Sequence, residues 1–468
     1  MNETDNHYLA AEPVGKLLVK FSLPCVLSML VSALYNIVDQ IFIGQGVGYL
    51  GNAATNVVYP FTVIALALAL LVGDGCAALL SLSLGRGEAE QSHRCVGCGV
   101  LLTAGVGVLL MLLGFAFQEP ILKLFGVTEA CRGYAVEYMT AITAGIPFYV
   151  FASGMNSVIR ADGAPGYSMF ATVLGAVLNL ILDPIAIFAL GMGVRGAAIA
   201  TVIGQAASCA ATLLYFRKPK SFRLKRESFR PSGSLCRKIG QLGVSSLITQ
   251  VSIVIVMAVA NNMIVLFGPE SAYGADIPLS AVGIVMKVFG IVIAFSVGIA
   301  VGGQPIVGFN YGARDYGRVR RAYRLILLAN LAVGAVAMLL FELCPQAIVS
   351  LFGNESRLYN EYACLCFRIF LGGILLCCIQ KASSIFLQSI GRPIKATVLS
   401  ISRDVVFLAP CAAVLASLFG VEGMLWAAPI ADVLAVLLTA VLVGGELRSM
   451  AERKPARSVP EGMRACKS

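Results

Sequence analysis

The sequence predicts an all-α integral membrane protein, with twelve transmembrane helices in two pseudo-symmetric six-helix bundles. Three observations carry this prediction: an apolar composition, a series of long apolar stretches, and short motifs that return at a nearly constant offset. Of 468 residues, 58% are hydrophobic and 13% charged, whereas soluble domains average roughly 45–50% apolar and 25% charged residues. A soluble fold with so few charges would expose apolar surface to water, so the composition excludes a soluble domain.

The residues before the first apolar stretch argue that this stretch is kept in the protein. Glu3, Asp5 and Glu12 precede the first basic residue, Lys16. A cleavable signal peptide begins with a positively charged region, which is missing here. We therefore expect the first apolar stretch to be a membrane span.

The apolar stretches are bounded by glycine, proline and charged residues, and each has the roughly 20 residues that a membrane-spanning helix needs. The sequence predicts twelve spans, which begin near residues 19, 54, 95, 134, 168, 194, 240, 279, 320, 362, 394 and 422.

Lysine and arginine are distributed unevenly among the predicted loops. With a cytoplasmic N-terminus, 27 of the 35 basic residues lie in inner segments, four lie in outer segments, and four lie within spans. Such an excess is typical of cytoplasmic loops. We therefore predict a multi-pass protein of the inner (plasma) membrane with both termini in the cytoplasm. The net charge of +10 then reflects orientation, and no nucleic acid partner is expected.

The two halves of the chain share short motifs at equivalent points of the predicted topology. The offsets between them are 227, 228 and 227 residues. Because each half has six spans, both halves enter the membrane from the same side, which predicts a repeat axis along the membrane normal and a cavity between the halves. The paired motifs are residues 85–88 and 312–315, 163–165 and 391–393, and 193–196 and 420–423.

The repeat and the basic segment between spans six and seven predict the domain organisation. It comprises an N-terminal half (14–216), a basic cytoplasmic linker (217–238), a C-terminal half (239–446) and a basic cytoplasmic tail (447–468).

Two acids within the first half require an explanation, because a charge at the centre of a span costs roughly 2.5–3.5 kcal/mol. Asp39 lies late in the first span, one helical turn after Tyr35. Asp183 lies late in the fifth span and shares a helix face with Asn179. Two carboxylates in one desolvated pocket cannot both be ionised cheaply, so we expect a proton or a cation to be held there.

Two further polar residues lie at a similar predicted depth. Thr201 is one to two turns into the sixth span, and Tyr138 is about one turn into the fourth. The alternative is that such residues only join helices by hydrogen bonds. For the two acids, which lack a basic partner at that depth, a functional role is the better interpretation.

Two prolines predict flexible points. Pro24 cannot donate to the carbonyl of Lys20, and Pro184 cannot donate to that of Leu180. We predict helix pivots at both prolines.

The second half does not repeat the acid pair, because Asp183 corresponds to Ala409. Arg403 and Asp432 are near mid-span, where we expect a buried ion pair. Asp74 has no partner that the sequence identifies. A metal site at His93, Cys95 and Cys98 is disfavoured, because this short cluster opens an apolar stretch and lacks a second pair of ligands. The 14 cysteines lie mostly in apolar runs and are expected to pack as small hydrophobic residues.

An enzyme is disfavoured. The two histidines, His7 and His93, lie outside the span cores, and no nucleophile, base and orienting group can be identified.

With these motifs established, the sequence resembles the multidrug and toxic compound extrusion (MATE) family, in its bacterial MepA-like branch. The resemblance runs from Lys16 to about Glu446 and depends on the order and spacing of several motifs. They are residues 35–44 (YNIVDQIFIG), 179–184 (NLILDP), 191–198 (GMGVRGAA) and 304–312 (QPIVGFNYG).

The resemblance implies a V-shaped pair of bundles and a secondary active antiporter. It would export amphipathic, often cationic organic compounds in exchange for H⁺ or Na⁺ by alternating access. No organic cofactor is implied, and we expect a monomer in contact with membrane lipid. The implied coupling-ion residues are Asp39, Asn179, Asp183, Thr201 and Tyr138, of which the first four would also be the ligands of any sodium ion.

For substrate contacts we nominate Tyr35, Asn36 and Asn156. A cation site in the second half is not expected, because Gln250, Gln380 and Lys381 occupy the spans where some branches of the family carry acids.

A second hypothesis is an exporter of lipid-linked or anionic intermediates, which would need a cavity dominated by cations. Whether the intramembrane cations face a cavity or pair internally discriminates between the two hypotheses. These cations are Lys287, Arg368, Lys381 and Arg403.

Overall fold

The structure, a computed structural model, describes residues 7–230, 232–274, 276–350 and 357–452, and the statements below concern these residues. Twelve long helical segments follow one another along the described chain. They are α1 (Val14–Gly46), α2 (Tyr49–Arg86), α3 (Ala89–Ala116), α4 (Arg132–Ala161), α5 (Pro165–Ala189), α6 (Gly193–Tyr215), α7 (Gly233–Phe267), α8 (Asp276–Gly312), α9 (Tyr316–Leu343), α10 (Arg357–Phe370 with Ile374–Ser389), α11 (Pro393–Leu425) and α12 (Ala427–Glu452).

Each helix is long and apolar enough to cross a membrane. Eleven are single segments, and α10 is a pair of segments bent by 48° at a short break. The predicted spans are therefore confirmed, with α10 counted as one. Short helices connect α3 to α4 (Gln118–Leu124) and follow α9 (Pro345–Ser350), and they are also related by the repeat offset.

Five of the six repeated motifs lie at helix boundaries, and the sixth, residues 420–423, lies at a kink inside α11 where Gly420 departs from helical geometry. Each contains a residue with left-handed backbone geometry, which glycine adopts without steric cost. Arg314 is the non-glycine residue among them, and its left-handed φ lies in the turn between α8 and α9. The sequence repeat is therefore a repeat of helix boundaries and of one kink. The paired residues and φ values are Gly87 (76°) and Arg314 (60°), Gly163 (80°) and Gly391 (72°), and Gly193 (56°) and Gly420 (66°).

Helices α1–α6 and α7–α12 form two bundles that meet through equivalent helices, with α1 against α8 and α2 against α7. The end of the molecule where α1 begins and α2 ends also carries residues 217–230 and the arginines of residues 314–324; we call it the basic end. Ser22 of α1 donates a 3.1 Å hydrogen bond to the carbonyl of Ile299 there. The close backbone contacts between the bundles, such as Gly302 on Ser22, lie in this half. The bundles thus form the predicted V, joined at the basic end.

The segment between the bundles is folded against the first bundle. Buried Asp162 accepts hydrogen bonds of 2.8 Å from the backbone N–H groups of Lys220 and Ser221 and one of 2.6 Å from the Tyr215 hydroxyl. Helix α7 begins at Gly233, inside the predicted linker 217–238. The predicted domain boundaries stay predictions, and residues 453–468 of the predicted tail lie outside the described residues.

Candidate functional site

The two predicted acids lie side by side in the first bundle. Asp183 of α5 is fully buried and Asp39 of α1 is half-buried. Their carboxyl groups are close enough to share a hydrogen bond. One oxygen of each, Oδ1 of Asp39 and Oδ2 of Asp183, has no donor among the described residues. This buried pair of under-satisfied carboxyl groups is the central feature of the site.

An asparagine connects the acid pair to α6. The Nδ2 group of Asn179 donates to Oδ1 of Asp183 at 3.0 Å and to Oγ1 of Thr201 at 3.2 Å. Tyr138 of α4 is buried and lies within electrostatic range of both acids. The structure therefore brings all five predicted coupling residues together, although they come from four helices.

Two glycines allow α5 and α6 to approach closely beside the acids. A Cβ on Gly175 would lie 2.7 Å from the carbonyl oxygen of Gly204, and one on Gly204 would lie 2.5 Å from that of Gly175. Gly175 is one helical turn before Asn179, so this contact sets the distance at which Asn179 reaches Thr201. Beyond Asp183 the α-helical pattern ends at Pro184, and residues 185–189 continue as a wider π-helical turn.

A cavity of about 110 Å³ extends from Asn179 and Thr201 towards the basic end. Drug-sized ligands occupy pockets of roughly 300–1,000 Å³, whereas this volume holds several water molecules. Two of its polar atoms, Oε1 of Gln205 and Oγ1 of Thr212, have no protein partner among the described residues. The cavity is lined by Ser32, Tyr35, Tyr149, Ala152, Ser153, Asn156, Ala171, Thr172, Gly175, Ala176, Asn179, Thr201, Gly204, Gln205, Ser208 and Thr212.

Most of the residues that line this cavity are not among the predicted site residues, although the spacing of those on α6 indicates a shared helix face. The polar residues of α6 recur at spacings of four, three and four, which places them on one helix face. Polar residues on a single face of an apolar helix are the pattern that predicts a wet cavity. On α6 they are Thr201, Gln205, Ser208 and Thr212.

The predicted substrate residues separate in the structure. Tyr35 and Asn156 both line the cavity. Asn156 donates a 2.6 Å hydrogen bond to Thr172 and accepts one from Ser168. Asn36 instead is exposed and donates at 2.7 Å to the carbonyl of Ser32, so it does not contribute to the cavity.

The predicted pivots differ in their surroundings. Helix α1 continues through Pro24 without interruption, and the Ser28 hydroxyl donates at 2.8 Å to the Pro24 carbonyl. Pro184 coincides with the change from α-helix to π-helix in α5.

In the second bundle, four of the six intramembrane charges form one buried network. The predicted pair is confirmed, since Nε of Arg403 lies 2.6 Å from Oδ1 of Asp432. Arg403 also bonds Asp404 at 2.6 Å, and Lys381 bonds Asp404 at 2.8 Å. Two cations and two anions leave no formal excess charge. Of the four intramembrane cations, Lys381 and Arg403 are therefore paired internally, whereas Lys287 and Arg368 are exposed.

His93 and Cys95 each contact protein groups in the structure. Nδ1 of His93 accepts the backbone N–H of Arg223 at 3.1 Å, and Cys95 packs against Cys76 with sulfur atoms 3.6 Å apart. Among the described residues there is no group of three metal-ligating side chains.

A sequence model described as MatE matches residues 24–185 and again residues 246–414, once in each bundle. The chain is 24% identical over 448 residues to the multidrug export protein MepA of Staphylococcus haemolyticus, covering 95% of this chain and 96% of that protein. It is 23% identical over 444 residues to MepA of Staphylococcus aureus, with the same coverage.

Solved structures agree in fold. One is a multidrug resistance MATE family transporter of the MOP superfamily in an outward-facing conformation, with a TM-score of 0.89 and 22% identity over 97% of this chain and 100% of that one. A second, a MOP superfamily transporter from Pyrococcus furiosus described as having a binding pocket of reverse polarity, has the same scores and coverage. These similarities establish the fold.

Proposed function

The chain belongs to the MatE family, whose members are membrane transporters and not enzymes, and on that premise we propose that it is a multidrug efflux antiporter. It would export amphipathic, often cationic organic compounds in exchange for H⁺ or Na⁺. The curated relatives that it matches along nearly its whole length are named multidrug export proteins. We further propose that the basic end faces the cytoplasm, in keeping with the positive-inside rule. The protein would be a monomer in the plasma membrane.

The observation that carries the proposal is the buried pair of Asp39 and Asp183. Its carboxyl groups are adjacent and lack donors for one oxygen each. Two adjacent carboxylates repel one another when both are ionised, and a shared proton or a bound cation removes that repulsion. The energy of the pair therefore depends on the coupling ion, as ion-driven transport requires.

The two acids lie on different helices of the first bundle. Asp39 is on α1 and Asp183 is on α5, which pack together along one side of the cavity. Ionised carboxylates would push α1 away from α5, and neutralisation would let α1 approach and close the cavity. Pro24 lacks an N–H group and so weakens α1 at the basic end, where such a bend would start.

The arrangement of Asn179 is compatible with a proton held by the acid pair. Its amide nitrogen, a donor, points to both Asp183 and Thr201. A sodium ion needs oxygen ligands, so Asn179 would have to turn its amide oxygen inward to bind one. A proton shared by the carboxyl groups needs no such rearrangement.

Exchange requires at least that substrate and coupling ion compete. Substrate and ion would bind preferentially to different conformations, and each would then oppose the other's binding. The cavity of about 110 Å³ is too small for a drug in this conformation. Tyr35 and Asn156 would therefore contact substrate in a conformation in which the cavity is wider.

The second candidate function, export of anionic or lipid-linked compounds, has weaker support. It requires free cations facing the transported molecule, and two of the four candidates are neutralised by Asp404 and Asp432. Lys287 and Arg368 remain exposed. The charge of the transported compound decides between the two functions.

Purified protein in liposomes tests the proposal. An imposed proton gradient should drive transport of a fluorescent organic cation such as ethidium, and a sodium gradient alone should not. Failure of both gradients would overturn ion coupling. Transport of an anionic dye in place of ethidium, lost on neutralising Lys287 and Arg368, would favour the second function.

A further inference from the structure

A chain of hydrogen bonds crosses from one bundle to the other near the basic end. Nε2 of Gln388 donates to Oγ of Ser246 at 3.1 Å, and Ser246 donates to Oδ2 of Asp74 at 2.7 Å. On the other side of the carboxylate, Ser157 donates to Oδ1 at 2.6 Å and receives a bond of 2.8 Å from Arg160. Ser246 and Gln388 belong to the second bundle, whereas Asp74, Ser157 and Arg160 belong to the first.

This series of hydrogen bonds starts and ends at equivalent residues of the repeat, but the bonds between them are not symmetric. Arg160 of α4 and Gln388 of α10 are 228 positions apart, the offset of the repeated motifs in this region. The residue of α8 that corresponds to Asp74 is Val301, which cannot accept such a bond. Among the described residues, the hydrogen bonds of Asp74 therefore connect the bundles on the α2–α7 side, and Val301 makes no equivalent connection.

Asp74 depends on a donor from the other bundle. Its side chain is 13% exposed, and the nearest cation, Arg160, lies 3.9 Å away, beyond hydrogen-bond distance. The carboxylate is thus satisfied by two serine hydroxyls, one from each bundle. Separating α2 from α7 removes the bond from Ser246 and leaves Oδ2 of Asp74 without that donor, in a site where hydrogen bonds to a charged group are strong.

The backbone around this bond leaves no space for side chains. A Cβ on Gly243 would fall 1.7 Å from the carbonyl oxygen of Leu71, and one on Gly75 would fall 2.1 Å from that of Ile239. Gly75 follows Asp74, and Gly243 lies one turn before Ser246. The bond between Asp74 and Ser246 therefore forms where the two helices are in direct backbone contact.

We propose that Asp74, Ser246 and Gln388 form the inner gate of the protein. Ser246 holds the basic end shut by its hydrogen bond to Asp74, and Gln388 orients Ser246. Opening towards the basic end requires this bond to break, so its strength sets the balance between the two conformations. The assignment of the gate to a transport cycle rests on the proposed function, whereas the effect of the bond on conformation does not.

Two matched variants test the gate. Ser246→Ala removes the donor from the opposite bundle, and Ser157→Ala removes a donor to the same carboxylate from within the first bundle. Hydrogen–deuterium exchange of the full-length protein in nanodiscs is measured in peptides from residues 71–86 and 239–246. We expect several-fold faster exchange in these peptides for Ser246→Ala, with slower exchange at the other end of α7. Ser157→Ala and the hydroxyl-retaining Ser246→Thr should resemble the unmodified protein.

Equal exchange in Ser246→Ala and Ser157→Ala, or no change in either, would overturn the proposal. A general loss of structure would accelerate exchange at both ends of α7, and thermal unfolding of each variant identifies that case. If Ser246→Ala is unfolded, Asp74→Asn, which keeps the side-chain size, provides the second test of the same hydrogen bond. Loss of the bond is expected to change the maximal transport rate more than the apparent affinity for ethidium. An exchange response without any ion-driven transport would support the gate and contradict the proposed function.

Discussion

Gly85 and Gly312 lie in backbone contact where α2 and α8 cross at the basic end. A Cβ on Gly312 would fall 3.0 Å from Cα of Gly85, and one on Gly85 would fall 2.0 Å from the carbonyl oxygen of Phe309. The two glycines are 227 positions apart and are therefore equivalent in the repeat. Equivalent residues touch only where the axis that relates the two bundles passes between them. The axis thus runs through the closed basic end.

The same close packing predicts the effect of adding a methyl group to α7. Gly243→Ala would place a Cβ against the carbonyl of Leu71, whereas a Cβ on Gly240 meets nothing within 4 Å. We expect Gly243→Ala to cost about 1–3 kcal/mol of stability and to slow transport. Gly240→Ala should be neutral or stabilising by up to about 1 kcal/mol. Thermal unfolding in detergent and ethidium transport measure both, and equal effects of the two variants would refute close packing at Gly243.

Neutralising one acid of the pair should abolish coupling. Asp39→Asn removes the carboxyl group that would share a proton or cation with Asp183, so gradient-driven ethidium export should fall at least about tenfold. Glu119→Gln makes the same chemical change at an exposed ion pair with Arg132 and should have no effect. Full gradient-dependent export by Asp39→Asn in liposomes would exclude the proposed role.

The polar cavity predicts opposite outcomes for two buried hydroxyl groups that lack protein partners. Thr212 lines the cavity, whereas Ser252 is buried in α7 away from it. If water fills the cavity, Thr212→Val loses a hydrogen bond to water and should cost about 1 kcal/mol. Ser252→Ala removes an unsatisfied group and should be neutral or stabilising. Chemical unfolding measures both, and stabilisation by Thr212→Val would indicate a dry cavity.

The buried charges of the second bundle should be strongly coupled. Asp432→Leu leaves Arg403 with one anion shared with Lys381. Breaking such a pair from one side costs roughly 3–5 kcal/mol, whereas replacing both partners by apolar residues costs much less. We expect Arg403→Leu/Asp432→Leu to be more stable than Asp432→Leu alone. A double-mutant cycle on thermal unfolding gives the coupling energy, and additive effects would contradict a buried network.

The segment between the bundles should depend on Asp162. Asp162→Ala removes the acceptor for the N–H groups of Lys220 and Ser221, so we expect trypsin to cleave within residues 217–226 several times faster. Asp315→Ala, which removes an exposed helix cap at the start of α9, is the control and should not change cleavage there. Unchanged cleavage in Asp162→Ala would show that other contacts hold the segment.

The twelve spans, the helix-ending turns and the i, i+4 pair of Asn179 and Asp183 were predictable from the sequence. Each depends on residues close together in the chain: apolar length for a span, left-handed geometry for a turn, and helical periodicity for the pair. The motif offset also indicated the two-bundle plan, because equivalent turns need similar residues.

Other features were decided by the tertiary structure. Asp74 had no identifiable partner in the sequence, because Ser246 lies 172 positions away on a helix of the other bundle. Asn36, which we nominate for substrate contact, donates to its own helix at the Ser32 carbonyl and lies outside the lining of the cavity. Which distant helices touch, and at what height, depends on where glycines such as Gly75 and Gly243 permit backbone contact. Local residue patterns therefore determined the helices and the pair of Asn179 and Asp183. Helix packing determined the approach of Asp39 to Asp183 and the partners of the remaining buried polar groups.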